Sequence, residues 1–329
     1  MQKFINNPQN LTSESLEGLV LANSDIITLA QDSLVVNKKL AEADRVTIVT
    51  LGAAGHEPAM SGFVGEGLVD IAVIGDIFAA PGPKACVDAI KLADKGHGVL
   101  LIVSNHTGDM LTANIAMKEC ERLGIAVSKV VAQEDIASAP RDNADERRGL
   151  VGCFALCKIA GAAAAQGKSL AEVTALTQKL ADNMASLAVA AKGTINPVIG
   201  EELMHIEDGF MQLGIGLDGE GGEKQTLQPA DATAALMLNA LLEDLAVTTG
   251  EKVLVIVNGS GATTLMEQLI IFRACYGILA EKGIEVAASL VGEYLTVQDA
   301  AGFALSIVRI DEEMLELWKA PCRTPYYKN

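Results

Sequence analysis

Residues 46–75, VTIVTLGAAGHEPAMSGFVGEGLVDIAVIG, limit the possible folds more than any other part of the chain. Residues 46–51 form a nearly continuous apolar run rich in β-branched side chains. It is too short for an ordinary helix and apolar on both faces, the pattern of a central parallel strand covered on both sides. Residues 69–74 give a second such strand. The first run ends in Gly52-Ala53-Ala54-Gly55, where small side chains let a ligand approach the backbone, and His56 follows directly. An imidazole there lies beyond the carboxyl end of a strand, where open α/β sheets place their ligands. A tight turn in which His56 only caps or hydrogen-bonds is the alternative.

The same reading predicts strands at 99–103, 127–131, 252–257, 284–289 and 303–309. Helices are predicted at 84–92, 110–123, 170–191, 232–245, 265–280 and 312–318, with Thr12 as a candidate N-cap of an amphipathic segment before Leu21. The charged stretch 134–148 reads as an exposed loop with at most short structure. Alternating strands and helices in 329 residues predict two α/β domains with mostly parallel sheets, divided as 1–191 and 192–329 where Gly and Pro interrupt the helical pattern. With only 4% aromatic residues against 50% hydrophobic, the core must be aliphatic.

A net charge of −17 disfavours direct nucleic-acid binding, since no basic field offsets phosphate repulsion. The six cysteines have no zinc-site spacing and read as reduced, buried thiols. No long apolar run and no signal-like start are present, so a soluble, cytoplasmic protein without membrane contact is expected. Neither Gly-rich turn is a GxxxxGK[ST] or GxGxxG motif, which argues against an autonomous nucleotide site, and the GxSxG serine-hydrolase spacing is absent.

His56 and Asp109 are the leading catalytic candidates. Imidazole exchanges a proton near neutral pH, and a carboxylate in a strand-end Thr-Gly-Asp turn can accept a hydroxyl proton; Asp109 as a helix cap is the alternative. Backbone amides around Gly52, Ala53 and Gly55, and around Ser104, Asn105 and Gly108, are candidates for fixing the oxygens of a small polar ligand. Asp218, between Gly216 and Gly219, suits a polyol hydroxyl, a cation or only solvent. Asp76, His106, Asn258, Ser260 and Thr263 are weaker candidates.

In order along the chain, GAAGHEPAMSGFVGEGL, GDIFAAPGP, NHTGD, ERRGL, MQLGIGLDGEGG, NGSGATTLMEQL and GFALSIVRIDEEMLELWKAP resemble the dihydroxyacetone-binding subunit of dihydroxyacetone kinases over nearly the full length. The resemblance implies two α/β domains, a homodimer, and a substrate-binding kinase subunit that works with a separate helical subunit carrying ADP or ATP. In phosphotransferase-linked systems a further protein replenishes the phosphate. His56 and Asp109 match the family's histidine and aspartate that activate a substrate hydroxyl. Asp218 stands where the family has the histidine that holds dihydroxyacetone as a hemiaminal, and Ser104 stands where it has lysine. A carboxylate cannot form that nitrogen–carbon bond, so the resemblance implies noncovalent binding of dihydroxyacetone or a related small hydroxyketone. A ligand sensor or coactivator acting with a transcription regulator is the other implied role.

Overall fold

The computed structural model describes residues 3–217 and 219–329, so Asp218 lies outside the described residues. The first half contains α1 (Leu11–Ala22), β1 (Ile27–Ala30), β2 (Leu34–Asn37), β3 (Thr47–Ala54), β4 (Ile71–Ile77), α2 (Pro83–Ala93), β5 (Val99–Ser104), α3 (Thr107–Arg122), β6 (Val127–Ala132), α4 (Gly152–Ala165) and α5 (Leu170–Asp182). Its sheet runs β1-β2-β4-β3-β5-β6, with β4, β3, β5 and β6 parallel and β1 and β2 added antiparallel at one edge. The central strands β3 and β5 are buried almost throughout, as their two-sided apolar sequences require. Helix α1 starts at Leu11 with Asn10 in the capping position, so Thr12 lies inside the first turn and is not the cap.

The second half contains β7 (Met184–Lys192), β8 (Phe210–Ile215), β9 (Gly221–Thr226), α6 (Ala230–Leu245), β10 (Lys252–Gly259), α7 (Leu265–Glu281), β11 (Glu285–Gly292), β12 (Ala301–Arg309) and α8 (Glu312–Lys319). The chain therefore forms two α/β units, and parallel pairing dominates in the first. The second sheet runs β11-β10-β12-β7-β8-β9, and only β10 and β11 pair in parallel. The reason lies in the connections. Helix α7 provides the crossover that parallel β10 and β11 need, whereas β11 returns to β12 without a helix.

The helix expected over 170–191 is two elements. Helix α5 stops at Asp182, where the Asn183 side chain donates to the Lys179 carbonyl at 2.9 Å, and β7 follows. Met184, Ala188 and Ala190 join one apolar cluster while Ala185, Leu187 and Val189 join another. This two-residue alternation was masked by alanine, which suits a helix equally well.

Five layers result. Helices α2 and α3 cover the outer face of the first sheet, and α6 and α7 cover the outer face of the second. Between the sheets lie α4, α5 and α8 in a continuous core that reaches from Ile48 and Ile102 to Leu254, Ile256 and Ala304. Every residue of α4 from 152 to 164 is buried, because both sheets lean on it. Its small side chains permit this: a Cβ on Gly161 would sit 2.3 Å from the Leu68 carbonyl oxygen. The buried Lys158 ammonium donates to the carbonyls of Leu317 (2.9 Å) and Ala320 (2.8 Å), satisfying the carboxyl end of α8. Phe154 packs its ring against Phe63, Tyr294, Trp318 and Tyr327, so the few aromatic residues gather where the halves meet.

Gly161→Ala is therefore expected to destabilise the protein by about 1–3 kcal/mol, the usual cost of overpacking. Urea unfolding measures it, and an unchanged midpoint would contradict the close approach of α4 to the 67–68 backbone.

Candidate functional site

A cleft of about 510 Å³ opens at the carboxyl ends of β3, β4 and β5, facing the second half of the molecule. Strand β3 is central, with β4 on one side and β5 on the other, so its end is a switch point of the kind where α/β sheets bind ligands. Gly52, Ala53 and His56 reach the cleft from β3, Phe78 and Ala80 from the loop after β4, and Ser104 through Asp109 from the turn that opens α3. Leu217, Glu220 and Leu295 enter from the second half.

His56 and Asp109 both line this cleft and are each 8% exposed. His56 Nδ1 lies 2.8 Å from the Thr296 carbonyl oxygen. That oxygen only accepts, so Nδ1 carries the proton and Nε2 is the basic atom of the neutral ring. The ring also packs against Phe78, centroid to centroid 5.3 Å. Asp109 lies within the first turn of α3, where the helix dipole favours a carboxylate, and it is not the cap residue.

The remaining expected residues separate into groups. Gly52, Ala53, Ser104, Asn105 and Gly108 line the cleft with them. Gly55 sits behind it at φ +98°, and a Cβ there would meet the Phe78 ring at 2.7 Å. His106 also lines the cleft, with Nε2 donating to the Gly149 carbonyl at 2.9 Å. Asn105 donates from its side chain to the carbonyls of Asp145 (2.8 Å) and Arg147 (2.7 Å), which fixes the turn. Asp76 is exposed and is not among the cleft-lining residues. Asn258 and Ser260 line a smaller cavity of about 30 Å³ beside the first, with Leu217 and Leu295 common to both. Thr263 donates to the Gly302 carbonyl at 2.6 Å. Asp218 lies outside the described residues, and its neighbours Leu217 and Glu220 line the cleft.

The stretch 134–148 is exposed at its tip and carries only the short 3-10 helix Arg141–Glu146, but its charges are not all in solvent: Glu134, Asp135 and Arg147 are buried. Arg148 lines the cleft, pairs with Asp135 at 2.7 Å, and donates to the carbonyls of Glu220 (2.9 Å) and Gly214 (3.0 Å). It thereby ties Gly214 and Glu220 to the first half, its charge matched by Asp135 and by the Glu220 carboxylate at 3.4 Å. Arg147 and Arg141 converge on Asp244, at 2.5 and 2.6 Å. Burial raises the Asp244 carboxyl, but hydrogen bonds from both guanidinium groups outweigh it and hold the group below the usual carboxylate range. Charge alternation suggested solvent, and the distant partners that bury these groups had no local signal. Thr296 and Leu295 were missed for the same reason.

Glu134 accepts from the amides of Leu150 (2.8 Å) and Gly152 (2.9 Å) at the start of α4, directly behind the Arg148 wall of the cleft. Burial, with the neighbouring Asp135 charge adding to it, pushes its carboxyl up to about 7, more than the two amides lower it.

The fold is that of a two-unit α/β protein with a polar-lined cleft at the seam between its halves. A model of the Dak1 domain matches residues 17–326, and the chain belongs to that family. It is 35% identical over 331 residues to the dihydroxyacetone-binding subunit DhaK of the PTS-dependent dihydroxyacetone kinase 2 of Listeria innocua, covering 100% of this chain and 99% of that protein. The dihydroxyacetone kinase operon co-activator DhaQ matches with a TM-score of 0.90 at 28% identity, over 95% of this chain and 97% of that one. The dihydroxyacetone kinase of C. freundii matches with a TM-score of 0.87 at 30% identity, over 99% of this chain and 61% of that one.

Because the folded chain holds the Glu134 proton more tightly than the unfolded chain, this group's contribution to stability is full below about pH 4.5 and is lost as pH rises to about 7. Glu134→Gln keeps an acceptor for both amides and removes the titration. Thermal melts from pH 4 to 8 should show the variant gaining on the native protein as pH rises, and parallel curves would exclude the raised carboxyl.

Proposed function

We propose that the chain is the substrate-binding subunit of a dihydroxyacetone kinase-like phosphotransfer system. It holds dihydroxyacetone or a related small hydroxyketone noncovalently and presents it to a separate donor subunit. The observation that carries this reading is that His56 and Asp109, far apart in sequence, line one cleft. Family membership and the Listeria relative supply the ligand class.

In this reading His56 Nε2 accepts a hydrogen bond from one ligand hydroxyl while its Nδ1 proton stays on the Thr296 carbonyl. The Asp109 carboxylate takes the proton of the hydroxyl that attacks phosphorus, and that oxygen forms the new P–O bond as the donor oxygen leaves. Orientation in the cleft supplies much of the acceleration, since holding reactants in line is worth several kcal/mol. The Gly52–Ala53 and Asn105–Gly108 backbones fix the remaining ligand oxygens. ADP or ATP belongs to a separate helical subunit, with a phosphotransferase-system protein renewing its phosphate. The chain acts as a homodimer in the cytoplasm, a setting that suits six buried cysteines without a disulfide.

A coactivator role is the second reading. It is favoured by the co-activator match at a TM-score of 0.90 and by Asp218, which removes the imidazole that would capture a carbonyl.

Calorimetry with dihydroxyacetone and four-carbon hydroxyketones should give saturable binding, and intact-mass measurement should show no retained adduct. With a helical donor subunit supplied, His56→Ala and Asp109→Ala should each lower phosphoryl transfer by roughly 10²–10⁴-fold, the usual range for an acid or base. Ligand-dependent binding to a regulator, with no transfer to any donor-supplied ligand, would decide for the coactivator. Absence of hydroxyketone binding would sink both.

A further inference from the structure

The imidazole of His56 is oriented by residues of the other half of the molecule. Thr296 accepts the Nδ1 proton through its carbonyl at 2.8 Å, donates its amide to the His56 carbonyl at 3.2 Å, and donates Oγ1 to the Glu57 carbonyl at 2.7 Å. Thr296 therefore grips the His56–Glu57 segment on three sides. It lies in the 293–300 connection between β11 and β12, which has no regular structure of its own. The later part of that connection is tied down by Val297, whose amide donates to the Ser260 carbonyl at 3.0 Å, and its start, just before Thr296, is fixed by a buried side chain at the end of β10. Asn258 Oδ1 accepts from the amides of Tyr294 (2.8 Å) and Leu295 (2.9 Å), and its Nδ2 donates to the Leu295 carbonyl at 2.7 Å. A side-chain amide matches these groups because it offers an acceptor and a donor at once. An aliphatic residue would leave buried amides unpaired, and a carboxylate would set an oxygen against the Leu295 carbonyl.

We propose that Asn258 is a positioning residue for His56. By fixing residues 294–295 it holds the Thr296 carbonyl on Nδ1, and so keeps the proton on that nitrogen and the basic lone pair on Nε2. The role needs no contact between Asn258 and ligand. It resembles the groups behind metal-bound imidazoles, which fix the tautomer of the ring in front of them. The effect on the ring is independent of what the cleft binds, whereas the effect on hydroxyketone binding rests on the proposed function.

The test is ¹⁵N NMR of the imidazoles in the ligand-free chain above the titration range, with the His56 signals among the four histidines identified by comparison with His56→Gln. The native protein should show a protonated Nδ1 and an unprotonated Nε2 at His56. Asn258→Ala should shift both signals toward the averaged values of a mixed tautomer and weaken dihydroxyacetone binding by roughly 10-fold or more. A folded Asn258→Ala protein with native His56 signals would overturn the proposal. Should that variant fail to fold, Asn258→Asp, which keeps the acceptor for both amides and loses the donor, is read in the same way: averaged signals support the role and native signals overturn it. A native protein that shows the expected tautomer but binds no hydroxyketone would leave the positioning role standing and remove only the functional reading.

Discussion

Both sheets rest on the single buried helix α4, and the remainder of the architecture follows from how closely they approach it. A helix with no exposed face needs small residues on all sides, and 152–164 provides them, with Gly161 against the Leu68 carbonyl. Its larger side chains are spent at junctions. Phe154 meets rings from both halves, and Lys158 satisfies the last carbonyls of α8. Because one apolar layer serves two sheets, the seam between them is as tightly packed as a domain interior, and a cleft at its margin inherits fixed walls.

That rigidity is extended to the cleft by polar groups. Segment 133–151 has little regular structure, yet Glu134 is held by α4 amides, Asp135 by Arg148, and Arg147 by Asp244. Burying such charges is costly unless each is matched, and here the matching partners come from both halves. Arg148 serves twice, completing the Asp135 pair and lining the ligand space.

The central strands β3, β4, β5, β10 and β12 were legible because they carry apolar runs buried on both faces, which no surface helix would show, and the partly exposed β6 and β11 were legible from their shorter apolar runs. Strand β7 was hidden by alanine, and β9, reading GGEKQT and mostly exposed, carries no apolar signal at all. His56 and Asp109 were legible because strand-end turns announce themselves through small residues before a polar one. Thr296 was not, since its tie to His56 spans 240 positions and uses a backbone atom common to every residue. Arg148 was visible only as one charge among many, for its role depends on Asp135 being sealed from water.

The return of the chain after α8 has a consequence for biosynthesis. Arg323 hydrogen-bonds its amide to the Glu66 carbonyl at 2.9 Å, and Tyr327 meets Phe154 edge to face, so residues translated late finish a layer whose other members left the ribosome long before. The amino-terminal half cannot complete its interior in isolation while it waits. During that interval its apolar flank stays open to chaperones or to neighbouring nascent chains, the transiently exposed surface that makes half-built layers prone to aggregate.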